Sequence, residues 1–148
     1  MDYRKLTEND AGFLTRIFSV AEYDLYFAEN DTTQEQWKER TAIYEGNSFV
    51  ISKDAVDVGW IMYRVEGDTC YLDILALLPS ERYKRYGKEI LSDLLARNAQ
   101  VRTIKLDVQQ RNRAAVRFYE TFGFRICGEE LQPVKNERIP YYNMILQI

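Results

Sequence analysis

Apolar positions along the chain change period several times, and each change marks an element. Phe13, Leu14, Ile17, Phe18 and Ala21 follow the spacing of one helix face, with Asn9 or Asp10 at its start. Residues 2–6 ahead of it read as a short strand. A second helix begins at Thr32 or Thr33, where Thr33 and Gln36 have capping-box spacing, and Gly46 is its natural stop. From Ser48 the period is that of strands. Phe49-Val50-Ile51 is one, Gly59 to Val65 the next, and the turn at Gly67-Asp68 leads into Cys70 to Leu78, which Pro79 stops. These three form an antiparallel meander.

Residues 80–86 make a basic loop, followed by a helix from Gly87 to Asn98 with Ile90, Leu91, Leu94 and Leu95 on one face. Thr103 to Gln109 is a strand, and Asn112 to Phe122 a helix stopped by Gly123. Phe124 to Cys127 begins another strand, and Tyr141 to Ile148 is the last. That last strand is apolar and offers an edge for pairing across subunits, although nothing in the sequence demands it; monomer and homodimer both stay open. Strand, helix, strand between residues 70 and 109 predicts a right-handed parallel crossover inside an otherwise antiparallel sheet. The expected class is mixed α+β. No repeat, low-complexity tract or linker divides the 148 residues, so a single domain over 1–148 is expected.

Composition narrows the chemistry. The chain contains no histidine, which excludes Ser-His-Asp and Cys-His nucleophile systems and any zinc site that uses His. Cys70 and Cys127 lie 57 positions apart and form no CxxC pair, so no metal is expected, and both read as buried or half-buried thiols of a reducing compartment. No apolar run of membrane-spanning length and no leader pattern is present, so a soluble, cytoplasmic protein without a membrane partner is expected. The net charge of −3 is unevenly spread, with −6 over residues 1–60 and +3 over residues 61–148. Such a chain suits a cation at its front and an anion at its back, or is simply a solvated surface of uneven charge. The acidic front and a pI of 5.1 argue against nucleic acid as partner.

Two segments carry candidate chemistry. Pro79-Ser80-Glu81-Arg82-Tyr83-Lys84-Arg85-Tyr86-Gly87-Lys88 lies between a strand and a helix, with Arg82, Lys84, Arg85 and Lys88 around a helix start. Backbone N–H groups and basic side chains there suit a pyrophosphate; a solvated basic turn is the alternative. It is not a Walker A loop. The second segment follows the strand Leu106-Asp107-Val108 and contains Asn112, Ala115, Tyr119, Gly123 and Phe124.

In that spacing these residues resemble the closing motif of the GCN5-related N-acetyltransferase (GNAT) superfamily, roughly Asn-x-x-Ala-x-x-x-Tyr-x-x-x-Gly-Phe after a strand. Ala76-Leu77-Leu78-Pro79 then resembles the family's strand end, and Arg82 to Gly87 its Arg/Gln-x-x-Gly-x-Gly/Ala loop. The resemblance covers residues 48–148 well and the first 47 only through their two-helix pattern. It implies a mostly antiparallel sheet of about six or seven strands with one splayed parallel pair and about four helices. It also implies acetyl-CoA as co-substrate and direct acetyl transfer to an amine, with a small cationic amine and a peptide N-terminus as the leading acceptors. A non-catalytic acyl-CoA-binding or sensing domain is the rival reading, because Arg85 stands where the family usually has glycine. Arg85 then either takes a backbone geometry that favours glycine or meets the phosphates with its side chain.

The same resemblance assigns roles. Tyr119 holds the position of the acid that protonates the leaving thiolate, and Asn112 that of a coenzyme-contacting Asn that can equally cap its helix. Arg82, Tyr83, Lys84, Arg85, Tyr86, Gly87 and Lys88 line the pyrophosphate loop. The backbone of Leu75, Ala76 and Leu77 binds the pantetheine arm and polarises the thioester. Without histidine a carboxylate or a water chain must take the amine's proton. The candidates are Asp107, in a Leu-Asp-Val that resembles the Leu-Glu-Val of the ribosomal-protein alanine N-acetyltransferases, and Asp73, in the strand that flanks the cofactor. For each, a surface-facing strand Asp is the alternative. Glu22, Asp24, Glu29, Asp31 and Glu35, with Tyr23, Tyr26, Phe27 and Trp37, form an acidic aromatic stretch that either holds a cationic amine or is a solvated loop. Tyr141 and Tyr142 are further candidates for lining the site.

Overall fold

The computed structural model describes residues 1–18, 33–44, 47–82, 84–134 and 136–148. In chain order these form β1 (Asp2–Lys5), a 3₁₀ turn at Glu8–Asp10, α1 (Ala11–Phe18), α2 (Gln34–Tyr44), β2 (Ser48–Lys53), β3 (Val56–Glu66) and β4 (Thr69–Leu77). A second 3₁₀ turn at Pro79–Glu81 leads to α3 (Tyr86–Arg97), β5 (Thr103–Gln109), α4 (Arg113–Phe122), β6 (Arg125–Val134) and β7 (Glu137–Gln147). Among the described residues seven strands make one sheet in the order β1-β2-β3-β4-β5-β7-β6. Every neighbouring pair is antiparallel except β4 and β5, so the mixed α+β layout with one parallel crossover forms as expected.

The parallel pair is short. β4 and β5 keep register only over Thr69↔Thr103, Cys70↔Ile104 and Tyr71↔Lys105. Beyond that point each strand follows its outer neighbour: β4 runs on with β3 to Gly59↔Leu77, and β5 with β7 to Gln109↔Tyr141. The sheet therefore forks. A bulge lies at the fork, because Tyr63 pairs with Leu72 and Met62 with Ile74, which leaves Asp73 as the extra residue on β4.

The bulge also switches faces. Cys70 and Leu72 pack in one core with Ile90, Leu91, Ile104 and Leu106. Past Asp73, Ala76 belongs to the opposite core with Leu6, Leu14, Ile17, Val50 and Trp60. An unbroken strand would hold residues 70, 72 and 76 on one side. As a result α3 and α4 cover one face, and α1 covers the other over β2, β3 and the end of β4. The face of β5, β7 and β6 on α1's side carries Lys105, Asp107, Tyr141 and Asn143, and no described helix packs there.

Local signals explain the helix starts. Thr33 N donates to Gln36 Oε1 at 2.8 Å and Gln36 N to Thr33 Oγ1 at 3.2 Å, the expected capping box of α2. α1 starts one turn after Thr7, whose N–H donates to Asp10 Oδ2 at 2.9 Å. Asp10 is buried and takes both Arg4 guanidinium nitrogens, at 2.8 and 3.0 Å. β1 is tied to α3 as well: Tyr3 donates its hydroxyl to Asp93 at 2.7 Å, and the Arg97 guanidinium sits 4.5 Å from the Tyr3 ring centre. The stop proposed at Gly46 and the acidic stretch from Glu22 to Asp31 lie outside the described residues, as does the Trp37 side chain.

Three expectations change. β7 begins at Glu137, four residues before Tyr141, despite Pro140. The Pro140 carbonyl accepts from Gln110 N at 3.0 Å, so its missing N–H faces the side where β5 has already ended, and the ladder loses nothing. β7 is internal, with β5 and β6 on its two edges, so it offers no edge to a second subunit. Cys70 is buried as expected, but Cys127 is exposed, because it is the bulged residue of the edge strand β6.

The Arg4–Asp10 pair gives a stability test. Burial pushes the Asp10 carboxyl up, but Arg4 and the Thr7 amide outweigh it and hold it below the usual range. Arg4→Ala is expected to cost about 2–3 kcal/mol at neutral pH, measured by urea denaturation. A depressed folded pKa stabilises above the unfolded value of about 3.9, so the gap between wild type and variant narrows as the pH falls below about 4.

Candidate active site

The chain leaving β4 at the fork passes through residues 78–85 and enters α3 with Arg85 as N-cap. Arg85 has φ 65° and ψ 12°, the left-handed region, so the first of its two expected options is the one taken. The Arg85 side chain makes no capping bond to this helix. Its first backbone bond runs from Glu89 N to Arg85 O at 3.3 Å, so the amides of Tyr86, Gly87 and Lys88 have no acceptor within the helix. Three aligned donors, the positive end of the helix dipole and the exposed Lys84, Arg85 and Lys88 therefore share one corner. Lys84 is held by Glu81 at 2.9 Å, and Lys53 and Lys84 each lie 6.0 Å from the Tyr86 ring centre. Arg82 is half-buried in the same loop, and Tyr83 lies outside the described residues.

Gly87 is fixed by packing rather than by backbone angle. A Cβ there would sit 2.8 Å from Phe118 Cζ, so the first turn of α3 rides directly on α4. α4 ends its own chain of amides differently: Asn112 is buried and its side chain accepts from Ala115 N at 3.3 Å. The capping role expected of Asn112 is thus filled, whereas the N-cap side chain of α3 makes no such bond.

Tyr119, 8% exposed, lies between Phe118 and Phe124, with ring centres at 5.2 and 5.3 Å. It belongs to the core that includes Leu72 of β4 with Leu106 and Val108 of β5, the strands that form the fork. Leu75 and Leu77 pack against this same core, whereas Ala76 is buried in the opposite one. The β4 backbone over these three residues bonds β3 and has no register with β5, so it lines the opening.

The two candidate carboxylates flank the fork on opposite prongs. The Asp73 side chain is 34% exposed and lies 3.8 Å from the Arg64 guanidinium. Burial pushes its carboxyl above the ordinary value, Arg64 pulls it back, and the charge of Asp107 adds to the rise. Arg64 is shared with Glu66 at 2.7 Å and stacks 4.3 Å from the Tyr71 ring centre. Burial, with Asp73 nearby, also pushes the Cys70 thiol up to about 11, so this cysteine is an inert core residue.

Asp107 is exposed and accepts from Asn143 Nδ2 at 2.7 Å and Gln132 Nε2 at 3.1 Å. The same two amides donate to Glu130, at 3.0 and 2.8 Å. Asn143, Gln132 and Glu130 were not marked by the sequence reading; the signal available was one Asn inside the apolar last strand. Tyr141 is on this open face, with its hydroxyl accepting from Gln109 at 3.2 Å, while Tyr142 packs on the helix side. Glu35 is exposed and paired with Lys38 at 3.4 Å. Among the described residues no group of three His, Cys, Asp or Glu side chains is placed to hold a metal ion.

A mixed sheet forked at its parallel pair, with an uncapped helix start at the mouth of the fork, defines an N-acetyltransferase type of fold. The sequence profile of the Acetyltransferase (GNAT) family matches residues 13–124, and the chain belongs to that family. No curated protein matches the chain by sequence. An acetyltransferase (GNAT family) from Bacillus anthracis superposes with a TM-score of 0.80 at 19% identity, covering 98% of this chain and 93% of that one. The ribosomal-protein-S18-alanine N-acetyltransferase from Escherichia coli gives 0.74 at 20% identity, covering 99% and 93%. An aminoglycoside acetyltransferase solved in complex with coenzyme A gives 0.74 at 19% identity, covering 98% and 93%. At these identities the likeness is one of fold.

Two substitutions in the α3 corner should act in opposite directions. Arg85→Gly removes the left-handed strain and is expected to add about 1 kcal/mol, or roughly 2–4 °C in melting temperature. Gly87→Ala drives a methyl group into Phe118 and is expected to cost about 1–3 kcal/mol. Differential scanning calorimetry of both variants checks the pair.

Proposed function

We propose that the chain transfers the acetyl group of acetyl-CoA directly to a primary amine, on a cationic small molecule or a peptide N-terminus. The observation that carries this reading is the uncapped start of α3 at the mouth of the fork. The amides of Tyr86, Gly87 and Lys88 point where a diphosphate would sit, and Arg82, Lys84 and Arg85 surround it. The β4 segment Leu75, Ala76 and Leu77, which keeps no strand register with β5, matches the amides of a pantetheine arm, which would lie in the fork as a short extra strand. Bound acetyl-CoA supplies the activated acyl group.

The remaining steps belong to backbone and side-chain groups of this protein. An N–H of the β4 edge polarises the acyl carbonyl as charge develops on its oxygen. Asp73, with its raised proton affinity, takes the proton of the acceptor ammonium, and Asp107 across the fork anchors that ammonium. The charge of Asp107 adds to the cost of charging Asp73, and a cation between the two offsets it. The amine nitrogen then bonds to the acyl carbon, the carbon–sulfur bond breaks, and the Tyr119 hydroxyl gives its proton to the leaving thiolate. The proton that the nitrogen sheds on becoming an amide restores the Tyr119 phenol through solvent. Asn112 fixes the first turn of the helix that carries Tyr119 and offers its amide nitrogen to the coenzyme. The acceptors named for the structural relatives, an alanine of ribosomal protein S18 and an aminoglycoside, both offer an amine nitrogen and support this class. Two free thiols are consistent with work in the cytoplasm.

A thiol-release assay with acetyl-CoA and a panel of polyamines, amino acids, aminoglycosides and short peptides tests the proposal. Tyr119→Phe is expected to lower turnover by about 100-fold while calorimetry still shows coenzyme A binding. Binding without turnover on any acceptor would favour the sensing domain instead. The pH profile gives a second test. The groups facing Asp73 are Arg64 of β3, Asp107 of β5 and Cys70 of its own strand. Since the base works deprotonated, kcat/KM is expected to rise with pH through a limb lying above the 3.8 of an ordinary Asp, and Asp73→Asn removes that limb.

A further inference from the structure

We propose that Asn143 is the positioning residue of the acceptor face and that it aims the Asp107 carboxylate; this rests on the role of Asp107 given above. Asn143 stands directly opposite Asp107 in the β5–β7 register. Its Nδ2 donates to Asp107 Oδ1 at 2.7 Å and to Glu130 Oε1 at 3.0 Å, while Gln132 Nε2 donates to Asp107 Oδ2 at 3.1 Å. One donor on each oxygen fixes the plane of a carboxylate that would otherwise rotate about its broad terminal torsion. The amide orientation follows from its partners, because two carboxylates accept only from nitrogen.

The seat of Asn143 is built by a different strand. Gly128 of β6 is its cross-strand partner, and a Cβ on that glycine would lie 2.7 Å from Asn143 Oδ1. Gly128 reaches this register only because β6 bulges: Ile126 pairs with Met144 and Gly128 with Asn143, which leaves Cys127 as the extra residue. A bulge, a glycine and a cross-strand pair on three adjacent strands thus converge on one amide. The arrangement also lets Asp107 and Glu130, two like charges, share one face through common donors.

Asn143→Leu keeps the shape and removes the donor, and Asn143→Asp adds a third carboxylate. Steady-state kinetics would use an alanine-initiated peptide and an aminoglycoside as acceptors. Asn143→Leu is expected to raise the amine KM about tenfold, with the KM for acetyl-CoA and the melting temperature unchanged. Asn143→Asp should lose more, and Gly128→Ala should follow Asn143→Leu. In an Asp107→Asn background, Asn143→Leu should change nothing further. In the amide NMR spectrum the Asn143 side-chain NH₂ should move when Asp107 becomes Asn. Wild-type kinetics in Asn143→Leu beside an impaired Asp107→Asn, or an NH₂ signal indifferent to Asp107, overturns the positioning role alone. Wild-type kinetics in Asp107→Asn, or no turnover with either acceptor, overturns the underlying reading and the positioning role with it.

Discussion

One extra residue in β4 decides how the two halves of the sheet meet. With Asp73 bulged out, the apolar side chains before it face α3 and α4, and those after it face α1. Both cores can therefore claim the same strand. Over those last residues β4 keeps strand register with β3 alone, because β5 has left to follow β7. Buried backbone N–H and C=O groups need partners, and an extended, amide-bearing chain of a ligand can supply them along a strand that its neighbour has left. The opening is thus a product of register, not of a missing side chain.

The α3 corner shows the same economy with backbone. Arg85 adopts a conformation disfavoured for side-chain-bearing residues, and in doing so turns the chain so that the next three amides point outward. Gly87 then lets α3 settle on Phe118 of α4. α4 in turn holds Tyr119 in the core shared by the two prongs. The start of α3 and the helix that carries Tyr119 are linked through the contact of Gly87 with Phe118, so their spacing is set by packing density.

Much of this was legible beforehand. The meander, the strand Thr103–Gln109, the α2 capping box and the Asn112 cap depend on neighbours in sequence, and local patterns report them well. The closing motif marked Tyr119, and the family's usual glycine drew attention to Arg85. What could not be read is long-range register. Cys70 to Leu78 is nearly continuous in apolar residues, so no alternation betrays the bulge at Asp73. The Asp107–Asn143–Glu130–Gln132 network joins three strands whose alignment only the folded sheet defines. Pro140 hid the start of β7, and the β6 bulge put Cys127 outside.

The uneven cover of the sheet has an evolutionary reach. The helix-clad prong carries the corner of backbone donors, which any side-chain change on the distant strands leaves intact. The bare platform of β5, β7 and β6 displays its polar groups on alternate positions, with no described helix locked over them. Under the acetyl transfer proposed above, drift there would retune which nucleophile is admitted while the grip on the donor molecule stays constant, so one scaffold could diversify by repainting a single wall.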